Sequence, residues 1–227
     1  MRIALICPSR GRPERFKAMV ESAMSLANDA GRMTAYLMTD LDDPERDNYL
    51  TSRWVVRYMN GTKGTSVPKM MNTLAQLTTD DILFAVSDDI LFRTQGWDDM
   101  LCAAFERYPD RLLLAYTNDG LDRDKCTHFA VHRRWVELAG LYVWPEFEHF
   151  YADEWCYRIG SAIGRTIYLR GLVTEHMHFK YGKSKKDETY STKRGNGISH
   201  RDAKRMEELM PMVNEIADRM RAAMVPT

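Results

Sequence analysis

The chain has 227 residues, 44% of them hydrophobic, enough for one large α/β domain or two small ones with a substantial core. Lys plus Arg and Asp plus Glu number 32 each, so global charge predicts no polyanion binding, and any such role needs a local patch. Cys7, Cys102, Cys126 and Cys156 show no C-x-x-C spacing and read as reduced thiols; with no 18-residue apolar run and no leader, a cytoplasmic location is expected.

Residues 3–7 read as a first strand, ended by Pro8-Ser9-Arg10-Gly11-Arg12. A helix is expected over 13–31, with Pro13 at its first position and Gly31 beyond its last. Strands follow over 35–38, stopping at Thr39-Asp40, and over 54–59. A loop over 60–64 leads to a helix over 67–77 with Pro68 at its start. Residues 82–86 are apolar, β-branched and aromatic, and read as a buried fourth strand that stops on Ser87-Asp88-Asp89. Gln95-Gly96 breaks the chain before a helix over 97–108, and a fifth strand covers 112–116. This alternation means an α/β fold with a mostly parallel central sheet and right-handed crossovers.

The second half is less regular. A strand over 127–132, short helices over 133–140 and 154–163, and strands over 166–169 and 172–179 are expected. Residues 180–199 are rich in Lys, Gly, Ser and Thr and read as a mobile loop; 201–224 reads as one amphipathic helix with Leu209, Met212, Val213 and Ile216 on its apolar side. With no repeat or linker, one domain is expected: a nucleotide-binding half over 1–116, an acceptor and catalytic half over 117–180, and the loop and helix over 181–227.

The chemistry-bearing residues fall at predicted strand ends, the rim where open α/β sheets bind ligands. They are Pro8-Ser9-Arg10, Thr39-Asp40, Asp88-Asp89, the acidic pair Asp153-Glu154, and Glu175-His176-Met177-His178. Adjacent hard oxygen donors with no cysteine beside them suit Mg²⁺ or Mn²⁺.

In order and spacing these features resemble the GT-A glycosyltransferases, in particular the family-2-like enzymes that use nucleotide sugars. The resemblance covers roughly residues 1–180 and implies a Rossmann-like GT-A sheet flanked by helices. It assigns Pro8, Ser9 and Arg10 to the nucleoside, Asp40 or Asp42 to the base or ribose, and counts Lys69 and Asp88 with the donor-binding set. The family's D-x-D motif stands here as Ser87-Asp88-Asp89, which leaves Asp89 as the metal ligand, completed by His176 or His178. Tyr151-Ala152-Asp153-Glu154 looks like the segment that supplies the base, through Asp153 or Glu154. The implied donor is a UDP-sugar, the implied reaction inverting, and the implied acceptor a hydroxyl of a saccharide or of a hydroxymethylated DNA base, as in some phage enzymes.

Each residue also has a plainer duty. Asp153 suits a helix N-cap, Glu154 a first-turn acid, Asp40 a turn, and Arg10 and Arg12 the surface. On a strand His176 and His178 face the same side, which suits a ligand and its neighbour or a solvated face. The basic loop is either solvated, a lid over a diphosphate, or a grip on nucleic acid. Two rival functions stay open: a sugar-nucleotide nucleotidyltransferase, poorly matched because Ser9-Arg10-Gly11-Arg12 holds one glycine, and a non-catalytic module of the same fold, favoured only by Ser87.

Overall fold

The computed structural model describes residues 1–60, 65–121, 125–185 and 197–225. The first half runs β1 (Ile3–Pro8), α1 (Pro13–Leu26), β2 (Met33–Asp40), β3 (Val55–Asn60), α2 (Val67–Leu77), β4 (Ile82–Ala85), β5 (Ile90–Phe92), α3 (Trp97–Glu106) and β6 (Leu114–Asn118). The second runs β7 (Phe129–His132), α4 (Arg133–Ala139), α5 (Ala152–Ala162), β8 (Thr166–His176), α6 (Ile198–Glu208) and α7 (Met210–Ala223).

The strands form one sheet in the order β3-β2-β1-β4-β7-β6-β8-β5. β1 pairs parallel with β2 and β4, β2 with β3, and β6 with β8; β7 and β5 run antiparallel to their neighbours. The expected α/β class and mostly parallel sheet are therefore present. Alternation along each strand splits the core into two layers. Ile3, Leu5 and Cys7 of β1, with Ile82 and Phe84 of β4, pack beneath α1 and α3. Ala4, Ile6, Leu83 and Ala85 point the other way, toward α2, α4, α5 and α7. Both faces of the central strands are thus covered, which is why 82–86 carries no polar residue.

Several boundaries differ from the sequence reading, each for a tertiary reason. α1 ends at Leu26, not at Gly31, because the buried Asp98 carboxylate accepts the N–H groups of Asn28 and Asp29 and draws the chain out of the helix. β5 was not expected; its three residues are held by antiparallel pairing to β8, a partner more than 80 positions away. The two strands expected over 166–179 are one, β8, whose register to β6 shifts between Thr117 and Asn118. The single C-terminal helix is two, α6 and α7, which meet at Leu209, because Pro211 has no N–H to give the Glu207 carbonyl and so cannot continue α6, while it is tolerated in the first turn of α7. The mobile-loop expectation for 180–199 falls mostly on residues 186–196, outside the described residues; its first part is a 3-10 turn over Phe179–Tyr181.

Phe84 is the aromatic hub of the α1/α3 layer. Its ring lies edge-on to Phe92 at 6.0 Å and tilted to Trp97 at 6.3 Å, and the Trp97 indole N–H donates to the Ala23 carbonyl at 2.7 Å. Phe84→Ala is expected to cost about 3–5 kcal/mol by the cavity it leaves; urea unfolding monitored by tryptophan fluorescence measures it.

Candidate functional site

Three parallel strands end together and present their following residues at one edge. β1 ends at Pro8, β2 at Asp40, and β4 at Ala85, from which Val86 and Ser87 lead to Asp88 and Asp89. The turn after β1 passes through Gly11, whose φ of +66° is left-handed and costs an L-residue more than glycine. That turn sends two arginines opposite ways. Arg10 reaches outward to Asp40 at 3.0 Å and Asp42 at 2.8 Å. Arg12 turns inward, with its Nη1 at 2.9 Å from Asp88 Oδ1 and 3.6 Å from Asp89 Oδ2.

Asp88 is buried and its two oxygens are spent within the protein. Arg12 takes one; the Ser9 hydroxyl donates to the other at 2.5 Å. Burial raises the Asp88 carboxyl, and the Arg12 guanidinium opposes that rise. The Tyr49 hydroxyl closes the cluster, 2.9 Å from Ser9 Oγ and accepting the Arg12 backbone N–H at 3.1 Å. Ser9 and Asp88, expected to face a nucleoside or diphosphate, are therefore mutual partners in a buried network. Arg12, which the sequence reading left open as a surface charge, is that network's cation.

Asp89 faces a second network. The Ser87 hydroxyl donates to Asp89 Oδ1 at 2.7 Å and lies 3.0 Å from His128 Nε2. With its proton spent on a carboxylate, that hydroxyl accepts from the histidine, which sets His128 as the Nε2–H tautomer. Nδ1 of His128 then carries only a lone pair, and it is buried without a partner among the described residues. Burial first, and His176 second, push the His128 pKa down to about 4, so it is neutral near pH 7. His176 Nε2 lies 3.4 Å from Asp89 Oδ1, and the Met177 N–H donates to the Asp89 carbonyl at 2.7 Å, pinning the end of β8 beside the aspartate. Sequence reasoning missed His128; the signal was a lone histidine entering an apolar strand.

His176 and His178 do not share a strand face, because β8 ends at His176. His178 instead caps the following 3-10 turn by accepting the Lys180 N–H at Nδ1, with its ring 5.2 Å from that of His176. Glu175 pairs with Arg93 and Lys183. Lys69 lines a cleft of about 350 Å³ with Ser66, Glu146, Glu148 and Arg205, and none of the Asp88 network lines it.

The acidic pair opens α5. Tyr151, not Asp153, is the N-cap residue, and it does so at φ +68°. A non-glycine residue there costs of order 1–3 kcal/mol and persists only where its surroundings impose it. Desolvation pushes the Asp153 pKa up to about 6, with Glu154 adding to the rise and Lys125 opposing it. Glu154 is tied to Arg158 at 2.5 Å. Lys125 and Cys126 thus feel the charge of Asp153, and His128, two residues on, feels Asp89; one short segment runs between the two carboxylates.

No family model and no curated protein matches the sequence. Solved structures do match in three dimensions. Residues 1–349 of S. aureus TarS in complex with UDP-GlcNAc align with a TM-score of 0.65 at 9% identity, over 85% of this chain and 61% of that one. Mannosyltransferase PcManGT from Pyrobaculum calidifontis, in complex with GDP-Man and Mn²⁺, aligns with a TM-score of 0.61 at 12% identity, over 98% of this chain and 69% of that one. The fold is GT-A-like. Against a longer TarS chain, the match spans 36% of that chain with a TM-score of 0.58. No helix among the described residues is long and apolar enough to cross a membrane.

In a GT-A fold the strand-end carboxylates raise the question of a divalent cation. No cluster of three or more His, Cys, Asp or Glu side chains poised as ligands exists among the described residues. The chain offers Asp89 and His176, one hard oxygen and one imidazole side by side. That set fits Mg²⁺ or Mn²⁺, which keep several positions for water and phosphate oxygens.

The buried ion pair and the buried neutral imidazole can each be tested. Arg12→Ala leaves Asp88 buried without its counter-charge and is expected to cost about 3–5 kcal/mol in denaturant unfolding. Arg12→Lys, which keeps the charge but loses the planar fork, is expected to cost less. For His128, a folded pKa below the unfolded value means stability is present above about pH 6.5 and lost as pH falls toward about 4. In metal-free buffer the stability difference between the wild type and His128→Gln is expected to fall by roughly 3 kcal/mol from pH 7 to pH 4; urea midpoints across that range read it.

Proposed function

We propose that the protein is a metal-dependent glycosyltransferase that moves a sugar from a nucleotide-sugar donor to an acceptor hydroxyl, with inversion. The observation that supports this reading best is Asp89 beside His176 at the sheet edge; Asp153, in the first turn of α5, has its pKa raised to about 6. The fold supports it, since the neighbours TarS and PcManGT are described with UDP-GlcNAc and with GDP-Man and Mn²⁺.

Arg10 and Asp40 suit the nucleoside. Asp40 is buried with Oδ2 on Arg10, while its Oδ1 and the Thr39 hydroxyl are buried without protein partners among the described residues. Such groups cost free energy unless something binds them, and a base or ribose N–H or O–H is a fitting donor for Asp40 Oδ1. Asp42 shares Arg10 and steadies it. UDP is the nucleotide to test first.

Asp89 and His176 would hold the Mn²⁺ or Mg²⁺, which when bound neutralises charge on the departing nucleoside diphosphate. Ser87 and His128 hold Asp89 in the rotamer that faces His176. Asp153 takes the proton from the acceptor hydroxyl as that oxygen bonds to the anomeric carbon and the bond from that carbon to the diphosphate breaks. A carboxylate that titrates near 6 is mostly ionised at pH 7 yet basic enough for this work. Glu154, paired with Arg158, adds negative charge beside Asp153. The acceptor is a saccharide or a modified DNA base in a phage-infected host; salt-sensitive retention of duplex DNA on filters favours the second.

Asp153→Asn is expected to lower kcat by about 10²–10⁴-fold with nucleotide affinity kept. Asp89→Ala is expected to lower it by about 10²–10³-fold, the scale of losing one preorganised charge-stabilising group, and EDTA to abolish it in the wild type. In the wild type kcat falls as pH drops through about 6, and Asp153→Asn removes that limb. Release of nucleoside diphosphate from UDP- and GDP-sugars measures all of these, and full turnover of Asp153→Asn with Mn²⁺ removed would sink the reading.

A further inference from the structure

Asp202 lies on α6, far in sequence from any strand-end motif, and is 1% exposed. Its carboxylate is consumed by three successive backbone N–H groups. Oδ1 accepts from Glu148 at 2.9 Å; Oδ2 accepts from His149 at 3.0 Å and Phe150 at 2.9 Å. A buried carboxylate whose partners are all backbone N–H groups dictates the path of that backbone. The neighbouring side chains strengthen the hold. Arg201 makes a two-pronged contact with Glu148, at 2.6 and 2.8 Å, and Arg205 donates to the Glu146 carbonyl.

The clamped segment ends one residue before Tyr151, the left-handed N-cap of α5. On the far side Trp155, Cys156 and Ile159 fix α5 in the core. The strained residue is thus caught between two immobile pieces, and Asp153 stands in the first turn after it. A clamp on 148–150 therefore decides where the α5 N-terminus points.

We propose that Asp202 is a positioning residue for Asp153, so that α6 completes a site whose other parts lie on the sheet edge. The inference deepens the reading of Asp153 as the base and rests on it for its catalytic meaning. Among the described residues, the titratable groups coupled to the charge of Asp153 are Glu154, Lys125, Cys126 and Cys156, none of them on α6. Asp202 therefore reaches Asp153 through the backbone and not through its own charge.

The test compares the wild type with Asp202→Asn, whose amide nitrogen cannot accept an N–H, and with Asp98→Asn, a buried carboxylate of similar duty at the end of α1. Carboxyl ¹³C NMR reads the titration midpoint of Asp153 directly, independent of activity. In Asp202→Asn the midpoint is expected to drop by about one unit toward the ordinary carboxylate value as water reaches Asp153. kcat is expected to fall at least about tenfold while the donor KM moves less than about twofold. Asp98→Asn lowers Tm but leaves the midpoint in place. The double variant Arg201→Ala/Arg205→Ala, which spares the buried carboxylate, shifts the midpoint the same way by less and serves should Asp202→Asn not fold. An unmoved midpoint in the folded variants overturns the proposal. A moved midpoint with a fully active Asp153→Asn upholds the positioning and overturns the assignment of Asp153 as the base.

Discussion

The arrangement of the sheet edge depends on one buried ion pair, Arg12 with Asp88. A guanidinium and a carboxylate taken out of water together are tolerable only when their remaining hydrogen-bonding groups are also met. Ser9 donates to the second Asp88 oxygen, and Tyr49 links Ser9 to the Arg12 backbone N–H, which joins the end of β1, the segment after β2 and the end of β4 in one network. With Asp88 held this way, its neighbour Asp89 meets the same guanidinium only at the longer 3.6 Å and takes its shorter contact from the Ser87 hydroxyl, beside His176. Two adjacent acids thereby sit in different networks, Asp88 with Arg12 and Ser9, Asp89 with Ser87 and His176.

The second network works by staying neutral. His128 is fully desolvated and beside another imidazole, so it holds no charge near pH 7 and donates one well-aimed hydrogen bond to Ser87. A hydroxyl rather than a carboxylate at position 87 has a physical consequence. An aspartate at 87 would set a third carboxylate against Asp88 and Asp89. A hydroxyl instead donates to Asp89 and accepts from His128, and so relays orientation without adding charge.

The C-terminal helices pack outside the sheet. α7 packs on the layer formed by α2, α4 and α5, and α6 grips the backbone that precedes α5. The strain at Tyr151 is what such a grip would sustain, since a left-handed tyrosine relaxes unless both of its flanks are held.

The sequence by itself determined the α/β class, the mostly parallel first half, the strand ends that carry Asp40, Asp88 and Asp89, and the helix bearing Asp153. Those features are written in local periodicity and in proline and glycine signals, which depend on near neighbours. Only the tertiary structure decided the early end of α1, the pairing of β5, the break before α7 and the separate duties of His176 and His178. It also decided that Arg12, His128 and Asp202 are buried in hydrogen-bond networks. Each of these turns on a partner tens of residues away, such as Asp98 with Asn28 or Asp202 with Glu148. A residue's charge and shape are local properties, but which backbone it meets, and how much water it loses there, are set only when the chain closes on itself.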